Sequence, residues 1–342
     1  MRTSEFGRRV LTSCVAAAIL AGCGGPQPLS PAPNVLENGV QNRITMQRFT
    51  PSISAPPENR PDSPDSYKVS GPLLFVTNFN STPVTIYDAK SNNRRPIAVI
   101  TKGVNTPAGD CVDRDGTLYV ASEFDGISEY ALGTTKPLKK ITKGISNPAF
   151  CAIDGRGNLW VTNMANVPNV SEYIKGATKP RMRITKGLIS PDGVAVDHAG
   201  TIYVANLQPY ATSNIQVYPH GSESPSRTIT AGITWPVGIA VDPNGNLYVT
   251  NDNAPCNIEE YLPGQSQPYQ TITTDIDGPT DVTFARNGRM YVVNEGTQNC
   301  TNNGPWPVIL EFPPGKLTPS KRAITKGLHV PLGAAYYPPA LP

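Results

Sequence analysis

The sequence predicts an all-β fold, a six-bladed β-propeller closed by its own C-terminal strand. Three observations predict it. A unit of four short strands is written six times with variations. The prolines that open the units, Pro107, Pro148, Pro191, Pro236 and Pro279, are 41 to 45 residues apart, and Pro331 follows after 52. The first unit lacks an opening strand, whereas the last segment is an opening strand with nothing after it. A supersecondary unit repeated at this period marks an array or a ring.

The stretch from Trp235 to Tyr261 shows each element most clearly. Val237-Gly238-Ile239-Ala240-Val241 is small and apolar throughout, as a strand buried on both faces must be. Asp242-Pro243-Asn244-Gly245 is a tight turn, because Pro presets φ and Gly accepts positive φ. Leu247-Tyr248-Val249 is a second strand of aromatic and branched residues. Asn251 to Asn257 is polar loop. A third strand ends at Tyr261, and a fourth follows Pro263-Gly264 and ends near Ile272.

The other copies keep this register. The second strands read LFVTN from Leu74, LYVAS from Leu118, LWVTN from Leu159, IYVAN from Ile202 and MYVVN from Met290. The third strands end on Tyr87, Tyr130, Tyr173, Tyr218 and Phe312. The fourth end in ITKG or a relative of it. If the strand at Leu332 to Tyr336 pairs beside Leu74 to Thr77, it supplies the missing element of blade 1. The ring then has no open edges, which are aggregation liabilities.

The start of the chain reads differently. Arg2, Arg8 and Arg9 precede a mostly apolar run from Val10 to Leu20, too short to span a bilayer. Leu20-Ala21-Gly22-Cys23 resembles a bacterial lipobox. That resemblance implies a signal peptide over 1–22 and a lipid on Cys23. Residues 23–66 then form a Pro-rich, disordered tether, and residues 67–342 form the propeller. The expected location is an exported protein, lipid-anchored to a bacterial membrane and facing the periplasm or the exterior.

The formal net charge is only +3, and no basic stripe with interleaved aromatics occurs, which argues against nucleic acid as a partner. Beyond Cys14 and Cys23, four cysteines remain, a number that suits disulfides in an oxidising compartment. Cys256 and Cys300 fall in equivalent loops of neighbouring blades and are expected to pair. Cys111 and Cys151 lie on neighbouring inner strands, and alternation allows them either to face each other or to point away. A monomer is expected.

The motif P-x-G-[IV]-A-V-D-x-x-G-x-[IL]-Y-V-x-[ND], as at Pro191 to Asn206 and Pro236 to Asn251, resembles the NHL-repeat family of propellers. Blades 2, 3 and 6 depart from it; Phe150 and Asp281 replace the Gly and Ala285 replaces the Asp. Pro191-Asp192-Gly193 is also similar to a motif of the senescence-marker-protein/gluconolactonase family. There the Asp helps bind a catalytic metal, which makes Asp192 the one catalytic candidate. That family's Asn in P-N-G and its N-terminal Glu have no match here.

Antiparallel connectivity puts the P-x-G entries, the V-x-N exits and the loops after them on one face, called the top. Asp110, Asp192 and Asp281 are the candidate ligands for Ca²⁺ or another divalent cation near the channel, since hard cations take carboxylate oxygens. Asn206, Asn251 and Asn294 end second strands, and Glu123, Asp252 and Glu295 follow such ends. Tyr210, Trp235 and Trp306 are large aromatics on the same face. With the three asparagines they make the expected binding surface for a glycan, peptide or protein. The expected function is a non-catalytic binding or scaffold module. The alternative is a metal-dependent lactone hydrolase, which requires at least three oxygen ligands converging on one point.

Overall fold

The computed structural model describes residues 65–79, 83–90, 95–208, 212–296, 300 and 307–340. They form six four-stranded antiparallel sheets set as blades around a central channel. Cys23, Tyr210 and Trp306 lie outside the described residues, as do the signal segment and nearly all of the tether. No described helix is long and apolar enough to cross a membrane.

Blade 5 shows the plan. Its strands are Pro236–Val241, Leu247–Asn251, Asn257–Tyr261 and Gln270–Ile272, paired in that order outward from the channel. The other inner strands are Pro107–Val112, Pro148–Ile153, Pro191–Val196, Pro279–Phe284 and Pro331–Tyr337. Proline suits the first position of a strand, where no ladder N–H is required. At the turn into the second strand, Asp242 accepts from the backbone N–H groups of Asn244 and Asn246, each at 2.8 Å. Asp113, Asp154 and Asp197 do the same in their blades. In blade 6 Ala285 has no carboxylate to offer and instead bridges to Pro339.

The ring closes as the incomplete first and last units require. Pro331–Tyr337 pairs antiparallel with Leu73–Asn78, setting Leu74 opposite Tyr336, Phe75 opposite Ala335 and Val76 opposite Ala334. Blade 1 is therefore built from both ends of the domain.

There is no single core. Six apolar clusters fill the gaps between neighbouring blades. Tyr119, Ile127 and Ile141 of blade 2, for example, meet Ile153, Leu159 and Tyr173 of blade 3. Each blade buries its faces only against its two neighbours, as in other repeat proteins. The inner strands approach one another closely at the P-x-G glycine. A Cβ on Gly238 would stand 2.5 Å from the Asp281 Cα, and one on Gly333 would stand 2.8 Å from the Gly109 Cα. Backbone against backbone leaves no room for a side chain, which is why the motif carries Gly there.

Candidate functional site

Six equivalent positions, one per blade, surround the top of the channel. Each directly follows the second strand, and its backbone N–H donates to the carbonyl just ahead of the neighbouring inner strand. Glu123 donates to Thr106 at 3.1 Å, Asp252 to Trp235 at 2.9 Å and Glu295 to Gly278 at 2.9 Å. Phe79, Met164 and Leu207 make the same bond in blades 1, 3 and 4. The ring thus carries three acids and three apolar side chains.

Five of these positions, all but the buried Leu207, line a basin of about 60 Å³. Glu123, Asp192, Asp252 and Glu295 supply its carboxylates, from blades 2, 4, 5 and 6. Phe79, Phe150, Met164 and Leu332 supply its apolar wall. No basic side chain is among the described lining residues.

Below the level where the inner strands touch lies a second space of about 130 Å³. Its walls are largely apolar, including Val112, Ile153, Val196 and Phe284, with Asp110 and Asp281 among them. Phe150 lines both spaces and stands between them. Asp281 Oδ2 accepts the Ala334 N–H at 2.9 Å. Both oxygens of Asp110 are buried without a hydrogen-bond partner. Burial pushes both carboxyls up, Asp281 to about 8, and the charge of Asp281 raises Asp110 further.

The three aspartates expected as metal ligands are not gathered into a ligand set. They fall on different rungs: Asp192 is the first residue after its proline, Asp281 the second and Asp110 the third. Asp192 opens on the upper basin, whereas Asp110 and Asp281 line the lower channel. Among the described residues, the group of three that comes within 4.8 Å is Cys256, Asp277 and Cys300. Among the described His, Cys, Asp and Glu residues, no group of three gathers around Asp192.

The asparagines have another role. Asn206, Asn251 and Asn294 are each fully buried. Asn251 accepts from the Thr234 N–H at 2.9 Å and donates to the Gly232 carbonyl at 2.8 Å. Asn206 accepts from Ile189 and donates to Gly187, and Asn294 donates to Asp275. Each amide pins the connection that leads into its own blade. In these contacts the amides act as turn formers, satisfying backbone groups at strand ends. Trp235 is half-buried against Ala149, Phe150, Met164 and Val237, a wall beside the upper basin.

Two disulfides link neighbouring blades. Cys256 joins Cys300 with Cα atoms 5.8 Å apart, and Cys111 joins Cys151 at 5.7 Å, both ordinary spans for the bond. For Cys111 and Cys151, the facing arrangement is the one that occurs. Sequence reading missed the apolar half of the mouth. Phe79 and Met164 carry a signal only in hindsight: they occupy the position after V-x-N where other blades place acids.

Comparison with known proteins agrees at the level of fold. A family model described as a beta-propeller repeat matches residues 228–250, from the outer strand of blade 4 through the first two strands of blade 5. No curated protein matches the chain by sequence. A protein of unknown function from Bacteroides caccae superposes with a TM-score of 0.60 at 13% identity, covering 78% of this chain and 99% of its own. Hydrazine synthase of Kuenenia stuttgartiensis superposes with a TM-score of 0.50 at 14% identity, covering 76% of this chain and 80% of that one. These likenesses define the class, a β-propeller, and at such identity they speak for the fold alone.

Proposed function

We propose that the protein is a non-catalytic binding module of the cell envelope, held at a membrane through a lipid on Cys23. Its ligand is a peptide, glycan or protein that presents basic or N–H donor groups to the upper basin. One observation carries this reading: Glu123, Asp192, Asp252 and Glu295 converge from four blades on one mouth beside an apolar wall. The rigid ring holds these groups in place before a ligand arrives, so little ordering cost falls on binding. The propeller sits at the end of a long tether, which suits capture of a ligand away from the membrane surface.

The test has two arms. Full-length protein expressed in a bacterial host should fractionate with membranes, and Cys23→Ala should move it to the soluble fraction. The purified domain should bind basic peptides or amino-sugar glycans on an array. Glu123→Gln with Asp252→Asn should weaken that binding at least tenfold without lowering Tm. Unchanged binding by the double variant would remove the basin from the reading.

A further inference from the structure

Asp277 is an aspartate that the proposed function does not use. It is 1% exposed, and its Oδ1 has no hydrogen-bond partner. A buried carboxyl oxygen left without a partner is costly to keep. It lies within 4.8 Å of both sulfurs of the Cys256–Cys300 bond. The two sulfurs differ: Cys256 is half-buried, whereas Cys300 is 9% exposed and accepts the Gly278 N–H at 3.2 Å. The other disulfide makes a contrast. Cys111 and Cys151 are both buried in the apolar cluster between blades 2 and 3.

We propose that Cys256–Cys300 is a redox-active disulfide that exchanges with a dithiol partner, with Asp277 as proton donor. The thiolate of the dithiol attacks the more accessible Cys256 sulfur. A new S–S bond forms to Cys256 and the Cys256–Cys300 bond breaks. The electron pair leaves on Cys300, whose thiolate takes the Asp277 proton. A thiolate in such a buried place is poorly solvated, so a neighbouring acid and the Gly278 N–H lower the cost of its departure. The second thiol of the partner then attacks the mixed disulfide, displaces the Cys256 thiolate and gives it its proton, while Asp277 regains a proton from water. The partner ends as a disulfide and Cys256 and Cys300 end as thiols, a transfer of two electrons with one proton from the partner's second thiol and one from solvent.

Burial alone holds the Asp277 carboxyl up, at about 6. Among the described residues, the titratable groups near it are Asp275 two residues earlier and Glu295, whose N–H binds the Gly278 carbonyl. None of these is basic.

The experiment treats oxidised full-length protein with dithiothreitol, quenches by alkylation and maps the cysteines by peptide mass spectrometry. Cys256 and Cys300 should become labelled at least tenfold faster than Cys111 and Cys151. Limiting glutathione should leave its adduct on Cys256. The opening rate, corrected for the reagent's own thiolate, should fall as pH rises through about 6. Asp277→Asn should remove that fall. Equal rates for the two disulfides, an adduct on Cys300 or a flat corrected profile in the unsubstituted protein would each overturn the proposal. The last readout serves even if Asp277→Asn does not fold.

Discussion

The Tyr87 hydroxyl donates a hydrogen bond to the main-chain oxygen of Lys326, 2.9 Å away, and so ties the first blade to the sixth. The same bond recurs around the ring: Tyr130 to Lys102, Tyr173 to Lys143, Tyr218 to Lys186 and Tyr261 to Ala231, at 2.6 to 2.8 Å. The ITKG turn is thus used for its carbonyl, and Ala231 serves as well as a lysine. Tyr87→Phe should cost about 1 kcal/mol, the usual net worth of one hydrogen bond. Lys326→Ala should cost much less. Urea midpoints compare them directly, and an equal loss at both would assign the latch to the lysine side chain.

Deleting residues 330–342 should be far more damaging. It removes the inner strand of blade 1 and bares the edge of Leu73–Asn78. It also breaks the packing of Ala335 and Tyr337 in the cluster shared with blade 2 and of Ala334 and Tyr336 in the cluster shared with blade 6. The expected loss is comparable with the whole net stability of a domain, about 5–15 kcal/mol. A truncated chain with the parent's Tm would contradict closure by this strand.

The fold was legible because its signals repeat. Proline at strand entry, Asp and Gly in the lower turn and Tyr at the third strand each answer a local backbone need, and six copies reinforce one another. The site was legible only in part. Asn206, Asn251 and Asn294 recur for that same structural reason, and repetition made them look like a ring of ligands. Asp192 and Asp281 seem equivalent in sequence, yet one rung of difference puts them on opposite sides of the level where the inner strands touch. Side chains that distinguish one blade from another, such as Phe79, Glu123 and Met164, follow no repeat. Their convergence depends on ring closure, which no local pattern encodes.

Gly238→Ala should destabilise the ring at its narrowest level. The new methyl would lie 2.5 Å from the Asp281 Cα and 2.6 Å from the Thr280 carbonyl oxygen, and neither backbone can yield without moving a blade. Overpacking of this kind costs about 1–3 kcal/mol. Gly71→Ala is a suitable control, since its methyl would meet only the Lys90 side chain, at 3.8 Å or more, and its φ is not positive. Thermal melts of the two variants measure the difference. A neutral Gly238→Ala would mean that the inner strands can spread apart.

The last prediction concerns pH. Burial, opposed by N–H donors from Ala334 and Val282 and aided by the Asp192 charge, holds the Asp281 carboxyl at about 8 in the folded chain. Its unfolded value is about 3.9. Between these two values the folded state keeps a proton that the unfolded chain has released. Stability therefore falls as pH rises through that window and levels off above about 8. Asp110, also raised by burial, acts in the same direction. The domain should melt at a lower temperature at pH 8 than at pH 5. Asp281→Asn carries no titrating group and should flatten this slope, so its stability relative to the parent should improve as pH rises. Melting curves of both proteins from pH 4 to 9 check it. Parallel curves would show that Asp281 titrates in the fold as it does in the unfolded chain, and the burial argument would fail.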